Sequence, residues 1–393
     1  MAAARRSYDV VVIGAGIVGA AAAAELAGEG ASVLLVERAV VAAGASGRNS
    51  GAVWHPMDPV LEALYLETLD RLRALPSALA AALPRDHPDR GFALPADPVG
   101  ILTLAHDAQL MAAQAASLER SKPQLRPAFL DAATLARMEP ALAPGLSAVR
   151  LDIGFPVAPW AATHAFAALA VARGAELVEG SGATVRVDDG VARGVTVDRV
   201  AVAAGAVVVA AGPWTPEVID PSATWRPIRP FWGVVVEVAL ARPPHAIVEA
   251  AGIDDAIDPQ AARAGAETVD FSLTTAAGRS SLGSTFLPFE PDPHAYEPRL
   301  RDGGAAYVPA IADAPSLSVR TCARPLAFDG RPLVGHVPGI DRLFVAAGHG
   351  PWGLSTGAAS AAHVAGLVLG RADAVPAAIR VAVDPARFGP PLR

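Results

Sequence analysis

The chain of 393 residues contains a single cysteine, Cys322, and a single lysine, Lys122. One cysteine excludes an intrachain disulfide and fits a reducing compartment, so the cytoplasm is the expected location. Positive charge rests almost wholly on arginine, and the balance of charges leaves a net −7, so no basic field invites nucleic acid. No run of about 18 apolar residues escapes interruption by glycine, proline or polar residues, which argues against a membrane span. Met1 to Ser7 carries two arginines with no apolar segment behind them, which argues against a signal peptide. No metal site is expected. The composition, 52% hydrophobic and 18% charged, is that of a buried globular chain and not a disordered one. Its length predicts two intimately joined domains.

The most informative stretch is VVIGAGIVGAAAAAELAGEGASVLLVER, Val11 to Arg38. Tyr8 to Ile13 reads as a buried parallel strand, Ala20 to Ala27 as a helix and Ser32 to Val36 as the next strand. The Gly14-x-Gly16-x-x-Gly19 turn between the first strand and the helix suits a dinucleotide. Gly14 permits the tight turn, Gly16 lets backbone approach a pyrophosphate, and Gly19 lets helix and strand pack closely. The helix N-terminus, around Ile17 and Val18, offers N–H groups and partial positive charge to phosphate. Glu37 follows the second strand, where a carboxylate accepts hydrogen bonds from ribose hydroxyls and repels a 2′-phosphate. NADP is therefore disfavoured, while NAD and FAD both remain open at this point.

Three further segments narrow the choice. AAGASGRNSGAVWH, Ala42 to His55, resembles the ASG-x-N-x-G stretch of the D-amino-acid oxidase-like flavoproteins, the group of glycine oxidase and sarcosine oxidase. VVVAAGPWTPEV, Val207 to Val218, is similar to their mid-chain strand and turn. RTCARPLAFDGRPLVGHVPGIDRLFVAAGHGPWGLSTGAASAAHVAGLVLG, Arg320 to Gly370, is similar to their C-terminal flavin segment. The resemblance brackets most of the chain and is loose only over about 220 to 300. It implies FAD. It also implies an α/β fold: a Rossmann-like FAD-binding domain joined to a second, antiparallel-sheet α+β substrate domain, as in the glutathione-reductase-like flavoproteins. The expected division gives residues 1–82, 150–220 and 318–393 to the FAD-binding domain, and 83–149 and 221–317 to the substrate domain.

On that resemblance, the FAD contacts are expected from Gly14, Gly16, Ile17, Val18, Gly19, Glu37 and Arg38. The second loop adds Ser46, Gly47, Arg48, Asn49, Ser50 and Gly51, and the mid-chain turn adds Ala211, Gly212 and Trp214. Gly348, His349, Gly350, Pro351, Trp352, Gly353, Leu354, Ser355 and Thr356 complete the set. Read alone, that last segment is a glycine-rich loop followed by a helix from Ser355 to Leu369, opened by the capping-type residues Ser355 and Thr356. Elsewhere, Trp160 to Gly174 reads as a helix. Glu176 to Val202 reads as short antiparallel strands with turns at Asp188-Asp189-Gly190 and Val191-Ala192-Arg193-Gly194. Trp232 to Val238 suits a large antiparallel sheet.

Flavin amine oxidation asks the protein to hold the substrate carbon in place and keep the amine neutral, so an anchor matters more than a nucleophile. Arg324, in ARPLAFDG, stands where the glycine oxidase-like pattern carries a carboxylate-binding arginine. A planar guanidinium grips a carboxylate with two parallel hydrogen bonds, and pairing with Asp329 or simple solvation is the alternative. His349 is the second candidate catalytic residue, through flavin contact or the substrate's protonation state; a backbone-bonded loop histidine is the alternative. Arg48 and His55 can approach the flavin from the second loop. Tyr307 lies in a loosely matching region and carries no expectation.

Cys322 falls where sarcosine oxidase-type enzymes attach flavin covalently, yet its neighbours follow the non-covalent pattern, so a buried thiol and non-covalent FAD are expected. Ser281 falls roughly where those enzymes hold an oxygen-activating lysine, which leaves O2 and another electron acceptor both open. The expected activity is hydride transfer from a small amine or amino acid to flavin N5, giving an imine that hydrolyses. The alternatives are a flavin-binding subunit of a hetero-oligomeric dehydrogenase and an FAD oxidoreductase acting on a non-amine natural product.

Overall fold

A short β-branched run with no polar alternation forms a stable strand only when both faces are covered. Ser7–Ile13 is such a run, and Val11 and Val12 are wholly buried. In the computed structural model, which describes residues 7–222, 224–253, 267–371 and 375–391, it lies inside an eight-stranded sheet. Residues 1–6, all but the last of the Met1 to Ser7 segment weighed as a leader, lie outside the described residues. The strand order is Leu333–His336, Leu343–Ala347, Val200–Val209, Ser7–Ile13, Val33–Val36, Glu176–Val178, and Val191–Val197 branches off Val200–Val209 and carries Ala183–Asp188 at its other edge. The four pairings from Leu343–Ala347 to Glu176–Val178 are parallel. Helices Ile17–Gly28, Pro59–Ala82, Ala161–Ala172 and Gly353–Val368 cover one face. Ala20 to Ala24 are all buried, and these small side chains let the first helix pack closely among its neighbours. We call this the floor sheet.

The second eight-stranded sheet, the roof, runs Ser316–Ala327, Ile228–Val238, Arg279–Phe286, Thr268–Ala276, Ile247–Ala250, Ile101–Ala105, Ser147–Leu151, Ala128–Leu130. All pairings are antiparallel except Ile247–Ala250 with Ile101–Ala105. Its residues alternate. Leu102, Val234, Val236, Val248, Leu273 and Leu282 face outward onto Tyr296 and Leu300 of helix Pro293–Ala305. The intervening positions face the floor. The mixed α/β architecture is the one the sequence implies.

Several local details differ from expectation. Residues 318–327, assigned with the cofactor half, form a roof strand, because Ser316–Ala327 pairs along its length with Ile228–Val238. Glu176–Val178 is parallel to Val33–Val36, not antiparallel. Val191–Gly194 is strand; the turn falls at Asp198 and Arg199, both with positive φ, which non-glycine residues rarely adopt and composition does not signal. Gly194 marks a close approach instead, since a Cβ there would stand 2.1 Å from the Val202 carbonyl oxygen. The last long helix begins at Gly353, and neither Ser355 nor Thr356 caps it. Ser355 Oγ accepts from the Trp54 N–H at 2.8 Å, and Thr356 Oγ1 donates to the Trp352 carbonyl at 2.8 Å.

Candidate active site

The parallel strands end at Ile13, Val36, Val209 and Ala347, and loops diverging from such ends leave a crevice. Here it is a cavity of about 970 Å³, walled on one side by the floor loops and on the other by the roof.

On the floor side the glycine turn is built as its spacing requires. Gly14 has φ +102°, and a Cβ on it would sit 2.5 Å from the Ala210 carbonyl oxygen. A Cβ on Gly19 would sit 1.8 Å from the Gly14 oxygen, so helix and turn touch through glycine alone. The Glu37 carboxylate accepts the Ala15 N–H at 2.9 Å and the Ala39 N–H at 3.0 Å, which fixes it at the cavity wall with lone pairs to spare. Arg38 lies over the Trp214 ring at 3.8 Å, and both line the cavity. Ser46 Oγ accepts the Ile17 N–H at 2.9 Å, tying the second loop to the first helix. Asn49 bridges its own loop to the Pro159 carbonyl and accepts from the Gly51 N–H.

Most of the expected contact residues line this one cavity: Gly14, Gly16, Ile17, Val18, Glu37, Arg38, Ser46, Arg48, Asn49, Ser50, Ala211, Gly212, Trp214, His349, Gly350, Pro351, Trp352, Gly353 and Leu354. Gly19, Gly47, Gly51, Gly348, Ser355 and Thr356 stand behind it as packing and turn residues. At Gly47 and Gly51 a Cβ would meet the carbonyl oxygens of Ala42 and Val157 at 2.3 and 2.4 Å.

A dinucleotide fits this wall. A fixed carboxylate lines it, the side-chain-free positions Gly14 and Gly16 of the turn line it, and so does the first turn of helix Gly353–Val368.

On the roof side, Arg324 projects from the Ser316–Ala327 strand into the cavity. Its Nη1 donates to the Thr285 carbonyl at 2.9 Å, and the guanidinium sits 4.8 Å from the Phe286 ring centre. Burial lowers its pKa, with the Cys322 side chain opposing that shift. Among the described residues no carboxylate stands within ion-pair distance; Asp329 is taken by Arg387 at 2.6 Å. The guanidinium also needs Gly233 on the neighbouring strand, where a Cβ would lie 2.5 Å from Nη2. A lone glycine in a valine-rich strand is a signal of close approach, but sequence alone does not name the approaching group.

His349 is buried, its Nε2 has no hydrogen-bond partner, and burial pushes its pKa down to about 4, so it is a neutral imidazole at ordinary pH. His55 lines the cavity, with Nε2 3.6 Å from Glu62, which pairs with Lys122; burial dominates and lowers the His55 pKa. Cys322 is buried on the cavity wall, 4.0 Å from the Ala45 carbonyl oxygen, and burial pushes its thiol pKa up. Ser281 lies off the cavity wall, against Arg320 at 3.3 Å. Tyr307 stacks on Phe271 on the outer side of the roof.

Two ties escape a sequence reading because their partners lie far apart in the chain. Arg320 pairs with buried Glu237 at 3.1 Å and, across the walls, donates to the Asn49 carbonyl at 2.9 Å. Within the floor, Arg331, next to strand Leu333–His336, pairs with Asp58, the cap of helix Pro59–Ala82, at 2.8 Å.

A family model described as FAD dependent oxidoreductase, DAO, matches residues 9–367. Glycine oxidase of Pseudomonas aeruginosa is 28% identical, with 98% of this chain and 99% of that one covered. The uncharacterized oxidoreductase YurR of Bacillus subtilis is 26% identical over 93% and 95% of the two chains. Among solved structures, glycine oxidase from Geobacillus kaustophilus has the same fold at a TM-score of 0.80 and 24% identity, covering 98% of this chain and 99% of that one. Iminodiacetate oxidase from Chelativorans sp. BNC1 superposes at 0.78 and 24% identity, covering 97% and 99%. No helix among the described residues is long and apolar enough to cross a membrane.

Proposed function

The chain belongs to the DAO family of FAD-dependent oxidoreductases, and from that membership we propose that it oxidises a C–N bond of a small amine or amino acid to an imine, which water hydrolyses. The observation that carries this reading is the Arg324 guanidinium: it faces the cavity, lacks a carboxylate partner among the described residues, and is shaped for a bidentate one. Bound FAD supplies the two-electron acceptor. The residues of the chain do the rest. Glu37 and the Gly14–Gly19 turn hold the dinucleotide, with Arg38 and Trp214 beside them. The 348–356 segment holds its ring end, and the N-terminal turn of helix Gly353–Val368 places main-chain N–H groups and positive dipole there.

Arg324 orients the substrate by its carboxylate. Neutral His349 supplies a hydrogen-bonding nitrogen without adding a positive charge that would compete with Arg324. The floor is read as the FAD-binding domain and the roof as the substrate domain, with Ser316–Ala327 going to the roof. A buried thiol with a raised pKa favours non-covalent FAD. The described roof strands bring no lysine to the cavity, so either O2 or another acceptor serves for reoxidation.

The test is anaerobic. FAD-loaded protein is mixed with a panel of amines and amino acids, and loss of flavin absorbance is followed, with reoxidation by O2 measured afterwards. Bleaching by an amino acid is the expected result. Protein that folds but takes up no FAD, or is bleached by no amine, overturns the proposal.

A further inference from the structure

The roof carries more than the guanidinium. From Arg324 the cavity wall continues through Phe286, Leu326 and Ile253, which pack as one apolar cluster. At the other side it meets a second cluster, in which Ile101, Leu151 and Ile153 pack with Trp54, and these four also line the cavity. The strand bearing Arg324 and the strand bearing Ile101 are five steps apart in the roof. At about 4.8 Å per step the wall extends roughly 24 Å, far more than glycine needs.

Between the clusters three polar side chains line the wall, and each has a bond within the protein. Ser272 and Ser284 share a hydrogen bond at 3.0 Å, and Glu249 accepts from Thr103 Oγ1 at 3.0 Å. One shared bond uses only one of the two serine donors, and the Glu249 carboxylate is costly to cover with an apolar chain, so this stretch bounds the apolar pocket beside Arg324. The cluster beside Arg324 rewards an apolar side chain by removing its surface from water.

We propose that the substrate is an amino acid with a long apolar or aromatic side chain, its carboxylate on Arg324 and its side chain against the neighbouring cluster of Phe286, Leu326 and Ile253. This rests on the amine-oxidising reading above and specifies which amino acids that reading takes.

The test is a chain-length series. Anaerobic bleaching of the FAD-loaded protein is followed with glycine, alanine, 2-aminobutyrate, norvaline, norleucine and phenylalanine, as D and L forms. In the accepted configuration kcat/KM is expected to rise about fourfold per added methylene. Glycine equal to or better than norleucine overturns the inference while leaving amine oxidation standing. Silence across the whole series overturns both. Leu326→Ala and Ile253→Ala are expected to flatten the slope. Should these buried positions fail to fold when truncated, Leu326→Val and Ile253→Val, which keep the site apolar, give the same readout to a smaller degree. An unchanged slope in folded variants places the side chain elsewhere and overturns the assignment.

Discussion

The two walls of the cavity are made of different material. The floor is built around main chain: glycines, N–H groups at helix starts and a carboxylate pinned by two amides, with Arg38, Asn49, Trp214 and Trp352 set among them. The roof presents side chains: a guanidinium, aromatic rings and branched aliphatics. A main-chain wall cannot be altered by substitution except by blocking it, so it suits a ligand that stays the same. A side-chain wall changes residue by residue, so it suits a ligand that varies between relatives. The floor is accordingly the wall where substitution should be lethal, and the roof the wall where it should be selective.

That contrast can be broken experimentally. The largest effect is expected at Gly19→Val, where even the first added carbon meets the Gly14 oxygen at 1.8 Å. Overpacking here should cost about 3 kcal/mol or more and abolish FAD retention, as read by denaturant unfolding and flavin content. Next, Arg324→Ala should cut kcat/KM for an amino acid about 100- to 1000-fold, corresponding to about 3–4 kcal/mol, while FAD content holds. Loss of flavin in that variant would mean the walls are not separable. Lysine at this position should rescue little, since it lacks the bidentate fork.

Acid provides the third test. The His349 imidazole is held neutral down to about 4 when folded, against 6.5 ordinarily. Between those values the unfolded chain binds the extra proton, so stability is present above about 6.5 and falls as pH drops toward 4, by about 3 kcal/mol in all. His349→Gln should show a shallower acid loss in chemical unfolding at pH 7 and 4.5. Identical pH dependence in both proteins would reject the assignment.

The mildest effect is expected at Gly233→Ala. The added methyl meets the far end of the Arg324 side chain, which can swing aside. KM should rise about tenfold with unfolding nearly unchanged, a ΔΔG near 1.4 kcal/mol. An unaltered KM would show that the guanidinium does not need its observed position.

How much could be read from the sequence follows the same division. Gly14, Gly16, Gly19 and Glu37 announced the floor because their roles are local: each acts on backbone within one βαβ unit. Arg324 was legible only through its resemblance to family members, since nothing near it in the chain says whether it meets Asp329. The structure gives Asp329 to Arg387 instead. Gly233, the Arg320–Glu237 pair and the Arg331–Asp58 pair were out of reach, because each depends on strand register or on partners more than 80 residues away. The turn at Asp198 and Arg199 was missed for another reason: aspartate tolerates positive φ, but arginine rarely adopts it and no glycine or asparagine marks the pair.

The pairing of Ser316–Ala327 with Ile228–Val238 sets Cys322 opposite Gly233 and Arg324 opposite Phe231. Side-chain direction along a strand depends on whether a position is odd or even. Adding or deleting one residue just before Arg324 would therefore aim its charge at the oily layer around Val234 and Val236 and bring a neighbour to the substrate in its place. Changes of two residues preserve the parity, so tolerated length variation in this strand should come in pairs.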